Sequence, residues 1–166
     1  MEAVPTPEDV FRAERLSAHQ ARSAFHLVSL CEPRWSLSDW QDLTRRLCRC
    51  PPASAGLMAI RDRRGTLHAL FGYSTDQSLQ LGRSLRIGDL IVAHLIGSAI
   101  DDVVVDCAER LAAELACDNL LIDLPAESAS SASRRLRAIL AERFRPIAVS
   151  HRRASDTPPP SRTNSP

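Results

Sequence analysis

The sequence predicts an α/β domain of the α+β kind: a mixed, mostly antiparallel sheet with helices on both faces. Three observations carry the prediction. Apolar residues recur with a period of two through 57–92, in three runs broken by turn residues. They recur at helical intervals in 17–31, 100–115 and 128–143. Between these patterns an apolar strand, 85–92, passes through His94-Leu95-Ile96-Gly97-Ser98-Ala99 directly into a helix. The first N–H groups of such a helix lack intrahelical partners and face outward at a positive dipole end, a ready cradle for an anion.

The 166 residues, 44% hydrophobic and 25% charged, amount to one domain with a sizeable core. A formal charge of +1 excludes a global field that would hold nucleic acid or an anionic membrane. Every basic residue besides histidine is Arg. No apolar run approaches the roughly 20 residues that span a bilayer, and no charged segment leads into an apolar one at the start, so a cytoplasmic protein is expected. Five cysteines, Cys31, Cys48, Cys50, Cys107 and Cys117, form an odd and scattered set that suits structural thiols better than disulfides. Cys48-Arg49-Cys50 has no second close pair, and His19, His26, His68 and His151 lack ligand spacing, so no metal site is expected.

In order, 1–9 reads as a loose leader and 10–16 as a short strand. Ser17 and Gln20 have capping-box spacing, and Ala21, Phe25 and Val28 continue a helix over 17–31 until Pro33. A second helix follows Ser36 or Ser38, with Trp40, Leu43 and Leu47 on one face and Arg45 and Arg46 near its end; Pro51-Pro52 stops it. The strand 57–61 turns at 62–65 into the strand 67–74, with Leu67, Ala69, Phe71 and Tyr73 on one face. After a turn near Gly82, Leu85, Ile87, Asp89 and Ile91 are expected on one face of the third strand of this meander, and Arg86, Gly88, Leu90 and Val92 on the other. The helix 100–115 carries the β-branched run Val103-Val104-Val105, so burial has to hold its first turn. Residues 120–124 read as a strand covered on both faces and parallel to 85–92. The helix 128–143 places Ala132, Leu136, Ile139 and Leu140 inward and Arg134, Arg135 and Arg137 outward; a last strand, 146–151, precedes a disordered Pro/Ser-rich tail, 152–166.

This order of elements, with the turn motif, resembles the GNAT superfamily of acyl-CoA-dependent N-acyltransferases over residues 10–151. The superfamily's pyrophosphate loop reads Q/R-x-x-G-x-G/A, and the turn matches it at Gly97 and Ala99, with His94 where Gln or Arg is usual. The resemblance implies acetyl-CoA or another acyl-CoA as co-substrate, its pyrophosphate held by His94 and the amides of Ile96, Gly97, Ser98, Ala99 and Ile100, and its pantetheine arm along Ile91 and Val92. It implies acyl transfer to an amine, borne by a small molecule or a protein, by direct attack on the thioester. Asp89 matches the position of an acidic residue that serves many members as base. On a face with Leu85, Ile87 and Ile91 its carboxylate is expected to be partly withdrawn from water; the alternative is a sheet carboxylate engaged with backbone, Arg61 or Arg86.

The sequence departs from the pattern in three places. Ile96 stands where the loop often supplies Arg. Asp101 and Asp102 occupy the first helical turn, where each would repel a phosphate charge about 7 Å away by on the order of 0.6 to 2.4 kcal/mol. Counting back from Phe144, Arg143 replaces a Gly, Ile139 the usual Tyr acid and Ala132 an Asn. The pattern also ends at a sixth strand, so a homodimer is expected to complete the acceptor wall. A non-catalytic module that uses the same fold to bind a protein or small ligand is the alternative reading. RNA or regulator binding through Arg134, Arg135 and Arg137 is a third, although no aromatic residues interleave with them.

Overall fold

The computed structural model describes residues 10–93, 99–123 and 131–143. Its elements are β1 (Phe11–Arg15), α1 (Ala21–Cys31), α2 (Leu37–Arg49), β2 (Ala55–Asp62), β3 (Leu67–Ser78), β4 (Gly82–Val92), α3 (Ile100–Glu114), β5 (Asn119–Ile122) and α4 (Ser131–Arg143). The strands lie in the sheet in chain order, β1-β2-β3-β4-β5. The first three pairings are antiparallel and β4–β5 is parallel, as the meander and the crossover through α3 require. The expected final strand, 146–151, and the tail fall outside the described residues.

Two cores sandwich this sheet. On one face Met58, Ile60, Ala69, Phe71, Tyr73, Leu85 and Ile87 meet α3 through Ile100, Val103, Val104, Cys107, Ala108 and Leu111. On the other, Leu57, Ala59 and Leu70 meet Ala21, Ala24, Leu27 and Val28 of α1 and Trp40 of α2. Each large side chain fully buried here is worth about 1.5–3 kcal/mol against exposure. Val103, Val104 and Val105 are all buried, which is the tertiary support their weak helix propensity demands.

Local signals set the helix starts. The Ser17 N–H donates to Gln20 Oε1 at 2.9 Å, and the chain makes one 3-10 turn, Ala18–Gln20, before α1 proper. Of the two candidate caps for α2 the structure uses Ser36, whose Oγ accepts from the Asp39 N–H at 3.1 Å. Trp40 Nε1 donates to the Ala21 carbonyl at 2.7 Å, so the aromatic that fills the core also ties α2 to α1.

Three expectations about faces and extents are corrected. Leu67 does not share a face with Ala69, Phe71 and Tyr73; it packs on the α1/α2 side, because a register shift leaves His68 as an extra residue between the Ile60–Ala69 and Arg61–Leu67 pairs. The hairpin to β4 is longer than its apolar pattern, since Thr75, Asp76, Gln77 and Ser78 pair with Leu85, Ser84, Arg83 and Gly82 by backbone alone. Gly82 closes it at φ 66°, where a Cβ would lie 2.8 Å from Asp118 Oδ2. Finally, β5 is only half-buried rather than covered on both faces, because among the described residues it is the edge of the sheet.

The β2–β3 turn is fastened by Asp62. Its Oδ1 accepts from the Arg64 and Thr66 N–H groups, each at 2.9 Å, and its Oδ2 lies 3.1 Å from Nε2 of His68, whose ring packs edge-on to Phe11. These contacts, the His68 hydrogen bond first, hold the Asp62 carboxyl below its usual range. A carboxyl lowered on folding stabilises the fold above its unfolded pKa and loses that contribution as pH falls through the folded value. Asp62→Asn is therefore expected to destabilise the protein at neutral pH and to flatten the acid limb of stability against pH, measured by urea unfolding across the acid range.

Candidate active site at the open end of β4

The site begins with one surplus residue. Leu70 pairs with Ile91 and Gly72 with Gly88, so two steps along β3 oppose three along β4, and Asp89 and Leu90 together stand against Phe71. Asp89 absorbs the bulge at φ 48°, a left-handed conformation that Asp enters more readily than most residues. The bulge exchanges the two faces of β4. Leu85 and Ile87 point to the α3 core, but beyond the bulge Leu90 and Val92 take that side, while Ile91 and Ala93 pack on the α1/α2 core.

The expected grouping of Asp89 with Leu85, Ile87 and Ile91 is thereby corrected. Asp89 is exposed rather than partly withdrawn from water, and its Oδ2 lies 3.6 Å from the point a Cβ on Gly72 would occupy. Neither arginine considered for it is spent on it. Arg61 Nε pairs with Glu14 Oε1 at 3.1 Å and Arg86 Nη1 with Asp123 Oδ2 at 3.2 Å.

The last described β4–β5 pair is Ile87–Ile122, followed by the Asp123 N–H donating to the Ile87 carbonyl at 2.9 Å. β4 runs on to Val92, so its edge from Gly88 to Val92 has no strand beside it among the described residues. At the start of α3 the N-cap Ala99 makes no side-chain cap: its carbonyl accepts from the Val103 N–H at 3.1 Å, and the first-turn amides point away from the helix's own carbonyls. Ile100 is buried, so its side chain belongs to the core. Of the expected binding residues, Ile91, Val92, Ala99 and Ile100 are thus placed at the two ends of the turn, while His94, Ile96, Gly97 and Ser98 lie outside the described residues.

No protein-family model and no curated protein sequence matches the chain. Solved structures do. Glucosamine-6-phosphate N-acetyltransferase from Arabidopsis thaliana superposes with a TM-score of 0.66 at 14% identity, over 88% of this chain and 99% of that one. Ribosomal-protein-alanine N-acetyltransferase from Brucella melitensis biovar Abortus 2308 gives 0.66 at 15% identity, over 85% and 96%. An aminoglycoside N-acetyltransferase in complex with CoA gives 0.67 at 9% identity, over 87% and 95%. The fold is that of the GNAT acetyltransferases.

Within this GNAT fold, the acids at the start of α3 are not the bare charges their sequence position suggests. Asp101 is only 2% exposed. Arg135 of α4 places Nε 3.8 Å from Asp101 Oδ2 and Nη2 3.6 Å from Asp102 Oδ2, and Arg143 places Nη2 3.8 Å from Asp102 Oδ1. Arg143 also donates to Asp106 and stands 3.7 Å from Glu109. Arg135 is exposed, as expected of an outer helix face, and from there its guanidinium also reaches the acids of α3. Arg143 joins the two helices. These cations offset the two acids, so the repulsion of an anion at the α3 N-terminus lies toward the low end of the Coulomb range for an isolated pair.

Other candidates for chemistry are occupied or inert. Cys48 Sγ donates to the Leu16 carbonyl at 3.3 Å and Cys50 Sγ to the Arg46 carbonyl at 3.6 Å. A groove of about 590 Å³ between β1 and α3 is lined by Arg12, Arg15, Asp106, Cys107 and Arg110, away from the open end of β4, and burial pushes the Cys107 thiol up to about 11, which leaves it protonated. Two features of the site escaped sequence reasoning. Asp123 was hidden inside an apolar run, although an acid closing a buried strand is itself a signal, and the Gly72–Gly88 pairing depends on the bulge.

Because the strain at residue 89 comes from its φ, Asp89→Gly is expected to keep stability or raise it by up to about 1 kcal/mol, and Asp89→Val to lower it. Thermal unfolding followed by circular dichroism checks both.

Proposed function

We propose that this protein is an acyl-CoA-dependent N-acyltransferase that transfers an acetyl group to an amine. The observation that carries the reading is the bulge of β4, which presents the Asp89 carboxylate to solvent just beyond the last described β4–β5 pair, Ile87–Ile122. A strand edge without a partner offers backbone donors and acceptors to an extended, amide-bearing ligand, and the backbone around Ile91 and Val92 is where a pantetheine arm would lie. The outward amides at the start of α3, with the turn residues His94, Ile96, Gly97, Ser98 and Ala99, would hold the pyrophosphate. The acyl-CoA supplies a thioester carbonyl when bound.

The chain's own part is to bring an amine to that carbonyl as a free base. Asp89 accepts the proton of the acceptor ammonium, and its exposure leaves it open both to the acceptor and to a bridging water. Ile139, where GNAT proteins often carry a Tyr acid, has no proton to give, so the leaving thiolate takes its proton from solvent. The three similar structures are named for a sugar phosphate, a ribosomal protein and an aminoglycoside, and the acceptor here is accordingly taken only as an amine.

Calorimetric titration with acetyl-CoA tests the reading. Binding is expected for the wild type and its loss for Gly97→Glu, which sets a carboxylate on the phosphate cradle. No affinity for acetyl-CoA or a longer acyl-CoA at millimolar concentration overturns it. Once an acceptor amine is in hand, Asp89→Asn is expected to lower kcat by about 100-fold or more with acetyl-CoA binding retained, the scale of a lost general base; full turnover in that variant removes Asp89 from the mechanism.

A further inference from the structure

Among the described residues β1 is the edge of the sheet opposite β5. Its register on β2 runs from Phe11–Asp62 to Arg15–Met58, and the Leu16 N–H donates to the Leu57 carbonyl at 2.9 Å. Hydrogen-bonding direction alternates along an antiparallel strand, so Arg12, Glu14 and Leu16 turn their backbone groups to β2, while Phe11, Ala13 and Arg15 turn theirs to the open side. No hydrogen bond among the described residues reaches those outward groups. A row of unpaired donors and acceptors is a template for another strand, and β1 has no proline to blunt it.

The side chains decide which strand fits. Phe11 and Ala13 pack toward the α3 core, and Arg15 lies over the Tyr73 ring at 5.1 Å on that same face. Arg12 and Glu14 share the other face with Leu16. Arg12 is exposed and makes no ion pair among the described residues. Glu14 uses only Oε1, which accepts from Arg61 Nε at 3.1 Å and from Gln20 Nε2 at 3.3 Å. Against a second, antiparallel copy of β1, a twofold axis at Ala13 pairs the whole strand and sets Arg12 of each copy opposite Glu14 of the other. An axis at Arg12 would oppose two guanidiniums, and one at Glu14 two carboxylates. Opposite charges in direct register stabilise a sheet and like charges destabilise it, so β1 is complementary to itself in one register. In that register Ala13 pairs with its own copy and Phe11 with Arg15, so all three outward residues exchange hydrogen bonds. The partner's Phe11 then stands on the α3 face beside the groove of about 590 Å³, whose apolar wall is Phe11, Ala13, Met58, Cys107 and Leu111.

We infer that this chain forms an isologous dimer by pairing β1 with β1 of a second copy about a twofold axis at Ala13, which joins the two five-stranded sheets. Arg12 and Glu14 pair twice across the axis, and Phe11 of each copy covers the groove of the other. β2 and β3 separate this interface from the open end of β4, so the dimer leaves each candidate active site uncovered and does not supply an acceptor wall. The inference is independent of the acyltransferase reading. One strand pair is a small interface, and an affinity of micromolar order is expected.

Sedimentation equilibrium of the full chain, from micromolar to millimolar concentration, is expected to show a monomer of 18.3 kDa passing reversibly to a dimer. Ala13→Pro removes an outward N–H and leaves the ladder to β2 intact, and Arg12→Glu sets a carboxylate opposite the partner's Glu14. Each is expected to raise the dimer Kd about tenfold or more, with the far-ultraviolet circular dichroism spectrum retained. Arg12 has no ion pair to lose, so Arg12→Glu decides the matter even if Ala13→Pro fails to fold. Mixing the Arg12→Glu chain with a Glu14→Arg chain restores both opposite-charge pairs and is expected to return a heterodimer. In the wild-type dimer the Phe11, Ala13 and Arg15 amides are expected to exchange with deuterium as slowly as those of Arg12 and Glu14, and much faster in the monomer. A chain that stays monomeric to millimolar concentration overturns the inference. So does a dimer that Arg12→Glu leaves intact, or one in which those three amides still exchange fast.

Discussion

One inserted residue in β4 governs the architecture of this protein's open end. Strand side chains alternate, so a single unpaired residue hands every later side chain to the opposite face. Before the bulge β4 feeds Leu85 and Ile87 to the α3 core; after it, Leu90 and Val92 do so, and Ile91 turns to the α1/α2 core. The last described pair with β5, Ile87–Ile122, lies just before the bulge, and the carboxylate of Asp89 is turned out to solvent. A regular strand would have kept Asp89 on the α3 side with Leu85 and Ile87, unusable for chemistry.

Charge is organised with comparable economy at the other end of the turn. An anion-binding helix start is weakened by acids in its first turn, yet acids there also favour the helix itself. The fold reconciles the two by packing α4 alongside α3, where Arg135 faces Asp101 and Asp102 and Arg143 faces Asp102, Asp106 and Glu109. Leu136, buried in the same helix, fixes α4 in place by packing while its arginines handle the charges. The acids thus serve helix–helix contact, and the two arginines offset their charge at the start of α3.

The reading of individual residues shows where pattern suffices. Ser17 with Gln20, the stop at Pro33, the meander, the parallel crossover and the burial of Val103, Val104 and Val105 all follow from spacing, because each is decided by neighbours within a few residues or by apolar periodicity. His68, Asp89, Arg135 and Asp123 were placed only in part. His68 and Asp89 are the extra residues of two bulges, Arg135 reaches acids on a helix distant in sequence, and Asp123 sits inside a run that reads as apolar.

The sequence by itself determined the class of the domain and the order and approximate extent of its elements, since those depend on periodicities carried along one chain. It also determined the small-residue turn that points to a helix-end anion site. The tertiary structure alone decided which face each side chain of β4 takes, which glycines meet across the sheet, and which cations answer the acids of α3. Register belongs to two strands at once, and a charge pair to two helices, so neither is written in the pattern of either partner alone.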